Sequence, residues 1–190
     1  MSGPGEITIA HAQADVRRVH RGGSMGPLVS GAVWLVATAL MTWASPPAAM
    51  WALFVGGALI FPISTLLLRA RGGPASLPPG HPSSALAFES AMVAPAGTLL
   101  AIVVGIFGPD RFFPAATLMI GVHYLVFVSL YGLRLYLALA LVLTAIGVLG
   151  LFAVPQLGFW AGWATGAALL AFVLPLDRAS RPAREPAAVA

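Results

Sequence analysis

Residues 112–153 read FFPAATLMIGVHYLVFVSLYGLRLYLALALVLTAIGVLGLFA, an apolar run about twice the roughly 20 residues a helix needs to cross a bilayer. Its only punctuation is Gly132-Leu133-Arg134. A glycine followed by a charge is where a chain turns most easily, so the run divides into spans at 112–132 and 134–153, joined by a tight hairpin at Arg134. Working outward, 85–107 and 158–175 are the flanking spans, and 48–68 and 26–44 lie before them. Each is long enough for a hydrocarbon core of about 30 Å. The sequence therefore predicts an all-α, polytopic membrane bundle of six transmembrane helices.

Composition supports this. Of the 190 residues, 59% are hydrophobic and only 8% charged, with a mean hydropathy of +0.91. A soluble domain carries about a quarter charged residues, and nothing here would cover a water-facing surface. The spans and their short connections leave room for a single domain at 25–176. It lies between a cytoplasmic N-terminal segment, 1–24, and a cytoplasmic tail, 177–190. The first 24 residues are too long for the n-region of a signal peptide. They read as disordered or as an interfacial helix.

The arginines test the count independently. All ten basic residues are arginine. With six spans and the N-terminus inside, Arg17, Arg18, Arg21, Arg69, Arg71, Arg134, Arg178, Arg181 and Arg184 are cytoplasmic, and Arg111 alone is outside. That is the bias of the positive-inside rule; five or seven spans would scatter the charges. Both termini are thus expected in the cytoplasm, in a bacterial inner membrane. The formal charge of +4 belongs to topology and not to nucleic-acid binding. Trp43, Trp51, Phe112, Phe113 and Trp160 fall near the outer ends of their spans, as an interfacial belt requires.

Helices in lipid associate by close packing of small residues. Gly158, Gly162 and Gly166 line one face of the sixth span, as an internal contact or as a homo-oligomer surface. Gly56-Gly57, Gly147 and Gly150 offer further close contacts. Pro62 and Pro95 interrupt the second and third spans, and each frees a carbonyl, of Ala58 and Ala91. Ser64, Thr65 and Ser90 are the hydroxyls at hand to satisfy them.

Few groups able to ionise lie inside the spans. Glu89 is the sole carboxylate, roughly one turn into the third helix. An acidic group in the bilayer costs roughly 2.5–3.5 kcal/mol even on insertion scales, so it is a candidate for function. Pairing with Arg69 or Arg134 is the structural alternative. His123 lies mid-span beside a stripe of Thr117, Gly121, Tyr124, Val128 and Tyr131 at helical spacing, a face expected to turn inward. Trp34 is at the midplane of the first span, where an indole packs or holds a ligand. By depth, Glu89, Ser64 and Tyr131 fall in the cytoplasmic half, with His123, Tyr124 and Trp34 nearer the middle and His81 in the adjoining Pro/Gly-rich loop. These residues are expected to line one cavity open to the cytoplasm, with Glu89, His123, Tyr124 and Tyr131 catalytic and Trp34, Ser64 and His81 binding substrate.

That set describes acid-initiated chemistry on a lipophilic substrate. A protonated Glu89 would be the general acid, the aromatic faces would stabilise a carbocation, and His123 would take the final proton. On its size, helix number, intramembrane Glu89 and aromatics Trp34, Tyr124 and Tyr131, the chain resembles small bacterial integral-membrane terpene cyclases. These protonate an alkene or epoxide of a prenyl chain without a metal. The resemblance implies cyclisation or isomerisation of a prenyl or terpenoid substrate. A transporter or channel with Glu89 and His123 as an ion relay is the alternative, and a non-catalytic scaffold the third reading. Having no cysteine, no H-E-x-x-H and no Gly-rich phosphate loop, the chain gives no sign of a metal or cofactor. The expected partners are membrane lipids and a lipophilic small molecule.

Overall fold

A computed structural model describes residues 7–180. Seven helices run along them: α1 (Ile9–His20), α2 (Met25–Trp43), α3 (Pro46–Ala70), α4 (Ser84–Phe107), α5 (Phe112–Tyr131), α6 (Arg134–Val148) and α7 (Gly158–Ala179). The last turn of α6 widens into a π-helix at Leu149–Ala153. Six helical segments are long and apolar enough to cross a membrane, and α2 to α7 follow the six stretches read from the sequence. The sixth span, expected to end at 175, continues through Pro175 to Ala179. Arg181 and Arg184 lie outside the described residues.

The helices alternate in direction, which gathers Arg17, Arg18, Arg21, Arg69, Arg71, Arg134 and Arg178 at one end and leaves Arg111 at the other. Contacts across the first end fix this arrangement. Arg21 Nε lies 3.3 Å from Asp177 Oδ1, the Ser64 hydroxyl donates to Met25 O at 3.2 Å, and the Tyr136 hydroxyl donates to Gly22 O at 2.7 Å. The chain breaks between α1 and α2 because Arg21, Gly22 and Gly23 all take positive φ.

Residues 9–20 form a helix. Thr8 caps its start by accepting from His11 N, and Ala12, Val16 and Val19 bury one face at helical spacing. The other contacts are polar. Gln13 donates to Ser129 O at 2.8 Å and Arg17 to Tyr131 O at 2.6 Å. Both acceptors are in the last turn of α5, whose final carbonyls have no partner inside their own helix. α1 thus seals the end of α5, and Gly132 keeps its φ of 64° where Gln13 and Arg17 come close.

α5 is central, packed by α4, α6 and α7 along its length and by α1 at its end, while α2 lies between α3 and α7. Glycines let the backbones approach. A Cβ on Gly147 would sit 2.7 Å from Leu118 N, and one on Gly166 2.7 Å from the Leu35 side chain. Gly158, Gly162 and Gly166 are all buried within the chain, so their face is spent on α2, on α5 and on the turn at Asp110. It is not free for a second copy. Phe112 and Phe113, expected in the interfacial belt, are 0% exposed. They start the central helix, so its first turn faces protein; Trp43, Trp51 and Trp160 are exposed as a belt requires.

Candidate functional site

α3 and α4 meet only sparsely, and this leaves a cavity of about 180 Å³ among α2, α3, α4 and α5. Small side chains make the room. α4 presents Ala87, Ala91 and Ala94, and α3 presents Gly57 and Ser64 together with Phe61. Pro62 and Pro95 lie beside these rows, and each removes a backbone bond from its helix. From α5 come Ile120, His123, Tyr124, Phe127, Leu130 and Tyr131; from α2, Met25, Gly26 and Ser30. Val16 and His20 of α1 close the arginine-rich end.

The mouth is lateral. Phe61 lines the cavity yet is 66% exposed, while Ile120, Tyr124 and Leu130 opposite are buried. Phe61 stands nine residues before the end of α3, about 14 Å along the axis at 1.5 Å per residue. In a helix of 25 residues that is near mid-length.

The floor is aromatic. His123 meets Phe127 edge-on at 4.8 Å between ring centroids. Phe127 also packs on Tyr131 at 5.6 Å and on Tyr136 at 5.3 Å, and Tyr124 stacks on Tyr136 at 5.9 Å. Such pairs contribute about 0.5–1.5 kcal/mol each beyond area burial, so this wall is the firm one and the α3–α4 seam the soft one. Two hydroxyls on the wall are already engaged. Ser64 donates to Met25 O and Thr65 to Phe61 O. Ser64 therefore ties α3 to α2 instead of serving the carbonyl that Pro62 frees at Ala58.

Four of the residues singled out in the sequence, His123, Tyr124, Tyr131 and Ser64, come together here. Glu89, Trp34 and His81 do not. Glu89 is exposed and lies two residues from both Ala87 and Ala91. At 100° per residue it points roughly 160° away from that row, so the expected shared cavity excludes it. Trp34, 2% exposed, packs on Phe113 at 5.8 Å in the core, one turn beyond Ser30. His81 is buried in the α3–α4 loop, its Nδ1 accepting from Ser83 N and its Nε2 3.7 Å from Asp15 of α1. Among the described residues no three His, Asp or Glu converge as a metal site would need. The residues that sequence reasoning missed are His20, Ser30, Phe127 and the alanine row of α4. Ala87, Ala91 and Ala94 carried a signal in their helical spacing.

The cavity's lining residues run from Val16 to Tyr131, and a single family match takes them all in. It covers residues 9–176. The chain belongs to the family of unknown function DUF7010. No curated protein and no solved structure matches it. The DUF7010 match begins at the first residue of α1, so the capping helix falls within the matched region along with the six spans.

Proposed function

We propose that this DUF7010 protein is a multi-pass protein of the bacterial inner membrane that takes a lipophilic small molecule from the bilayer into the α2–α5 cavity. The observation that carries the reading is the lateral mouth at Phe61, at mid-membrane depth and opposite an aromatic wall. Apolar lining, a few convergent polar groups and partial enclosure are the marks of a small-molecule site. By the positive-inside rule the arginine-rich end is cytoplasmic, which puts both termini inside and α1 at the inner surface.

Cyclisation or isomerisation of a prenyl or terpenoid chain meets this class at the aromatic floor, where a cation would be stabilised. It departs from it at the acid, because Glu89 faces away from the cavity. The channel alternative has less support. The hollow at the opposite end, bordered by Phe107, Asp110, Arg111 and Gln156, shares no residue with the cavity.

Gly57 gives the test. A Cβ there meets nothing within 4 Å, so Gly57→Leu adds bulk to the cavity wall without a clash at its Cβ. Wild-type protein, purified from membranes and analysed by native mass spectrometry, is expected to carry one small lipophile per chain. Gly57→Leu should lose it while keeping its melting temperature, and Glu89→Gln should keep it. Equal lipophile in wild type and Gly57→Leu, or none beyond bulk phospholipid in either, refutes the reading.

A further inference from the structure

The cavity wall holds an occluded histidine nitrogen with no partner among the described residues, and its chemistry narrows what the cavity takes. His123 is 8% exposed. Its Nδ1 is occluded and has no hydrogen-bond partner among the described residues. Its ring lines the cavity, leaving Nε2 as the nitrogen that reaches open space.

A neutral imidazole carries one N–H and one bare acceptor nitrogen, and the environment decides which is which. Sealing an N–H away from every acceptor is the rarer and costlier outcome; a buried acceptor left without a donor is better tolerated. The occluded Nδ1 is therefore the bare nitrogen, and the proton sits on Nε2, aimed into the cavity. The Ser64 and Thr65 hydroxyls are already engaged. The wall thus presents the His123 Nε2–H as a donor beside the Tyr131 hydroxyl and the His20 ring, which calls for an acceptor oxygen on the ligand.

Size narrows it again. An apolar cavity of about 150 Å³ holds one benzene ring, and the space here is about 180 Å³. That admits a single six-membered ring and not a folded prenyl chain. A tail attached to the ring would leave through the mouth at Phe61, between α3 and α4, and lie in lipid.

Building on the lipophile-binding reading, we propose that the cavity recognises the ring of a tailed, carbonyl-bearing lipid of the quinone class, with His123 Nε2–H donating to a ring oxygen and Phe127 and Tyr124 flanking it.

The test uses the full-length protein in phosphatidylcholine nanodiscs with two probes of equal tail, decyl-1,4-benzoquinone and decylbenzene. The quinone is expected to bind about tenfold more tightly, the worth of one well-made hydrogen bond in a dry site. His123→Phe keeps a ring in place and should erase the difference; His123→Gln retains an N–H donor and should restore much of it. Circular dichroism on each variant checks that the bundle is intact. Equal affinity for the two probes, or a quinone preference that survives His123→Phe, overturns the carbonyl assignment while leaving lipophile binding in place. If neither probe binds and Gly57→Leu also changes nothing, both readings fall.

Discussion

Gly162→Leu is expected to unfold the bundle, whereas the same replacement at Gly57 leaves it folded. A Cβ on Gly162 would stand 2.2 Å from Thr38 Oγ1 on one side and 3.0 Å from the Phe113 ring on the other. Neither neighbour can retreat. The Thr38 hydroxyl is held by Trp34 O at 2.8 Å, and Phe113 is fully buried between Phe112 and Trp34. Overpacking a dense core costs about 1–3 kcal/mol, and more where nothing gives; here three helices would have to part. A loss of about 3 kcal/mol or more is expected, a large share of an ordinary folding margin. Melting of purified Gly162→Ala and Gly162→Leu against wild type checks this. The alanine variant should fall between the other two, and an unchanged melting temperature for leucine would contradict the α2–α5–α7 packing.

The spans were legible because bilayer thickness sets a length and the arginines set a parity, and both are written in single residues. Gly132-Leu133-Arg134 divided the long run correctly for the same reason: αL glycine ends α5 and Arg134 begins α6. Depth along a helix was therefore readable. Rotation about its axis was less so, and Glu89 shows the consequence. An acid inside a span carries its full cost in lipid only if the side chain stays in the hydrocarbon. At the fifth position after Ser84, though, a glutamate on the outer face lies about 7.5 Å from the helix start, near enough for its side chain to reach toward the interface. The alanine row at 87, 91 and 94 held the rotational information, since small residues turn toward neighbouring helices. On α5 the Tyr124–Tyr131 stripe pointed the right way because polar and aromatic groups avoid lipid together. An interfacial helix was one of two readings of residues 1–24, but the packing of α1 was hidden by its charge. Arg17 read as a topology signal, and its role in closing the carbonyls of α5 needs a tertiary contact that no local pattern encodes.

Tyr136 joins that capping helix to the cavity floor, and its removal should be felt at both. The residue is 0% exposed. Its ring lies 5.1 Å from Tyr131 and 5.3 Å from Phe127, and its hydroxyl holds the Gly22 carbonyl at the break between α1 and α2. Tyr136→Phe keeps the ring and orphans that buried carbonyl, a loss of about 1–3 kcal/mol. Tyr136→Ala also empties the space under the floor, and about 3–5 kcal/mol is expected from the loss of a large buried aromatic. The two variants separate two roles. The phenylalanine variant should raise hydrogen exchange at Val16 to Gly23 with little change in lipophile binding, because the floor rings keep their neighbour. The alanine variant should do both, because Tyr124, Phe127 and Tyr131 then lose the ring they all pack against. If Tyr136→Phe left exchange in α1 unchanged, the Gly22 bond would not be what seats that helix, and its anchorage would rest on Gln13 and Arg17 at the end of α5.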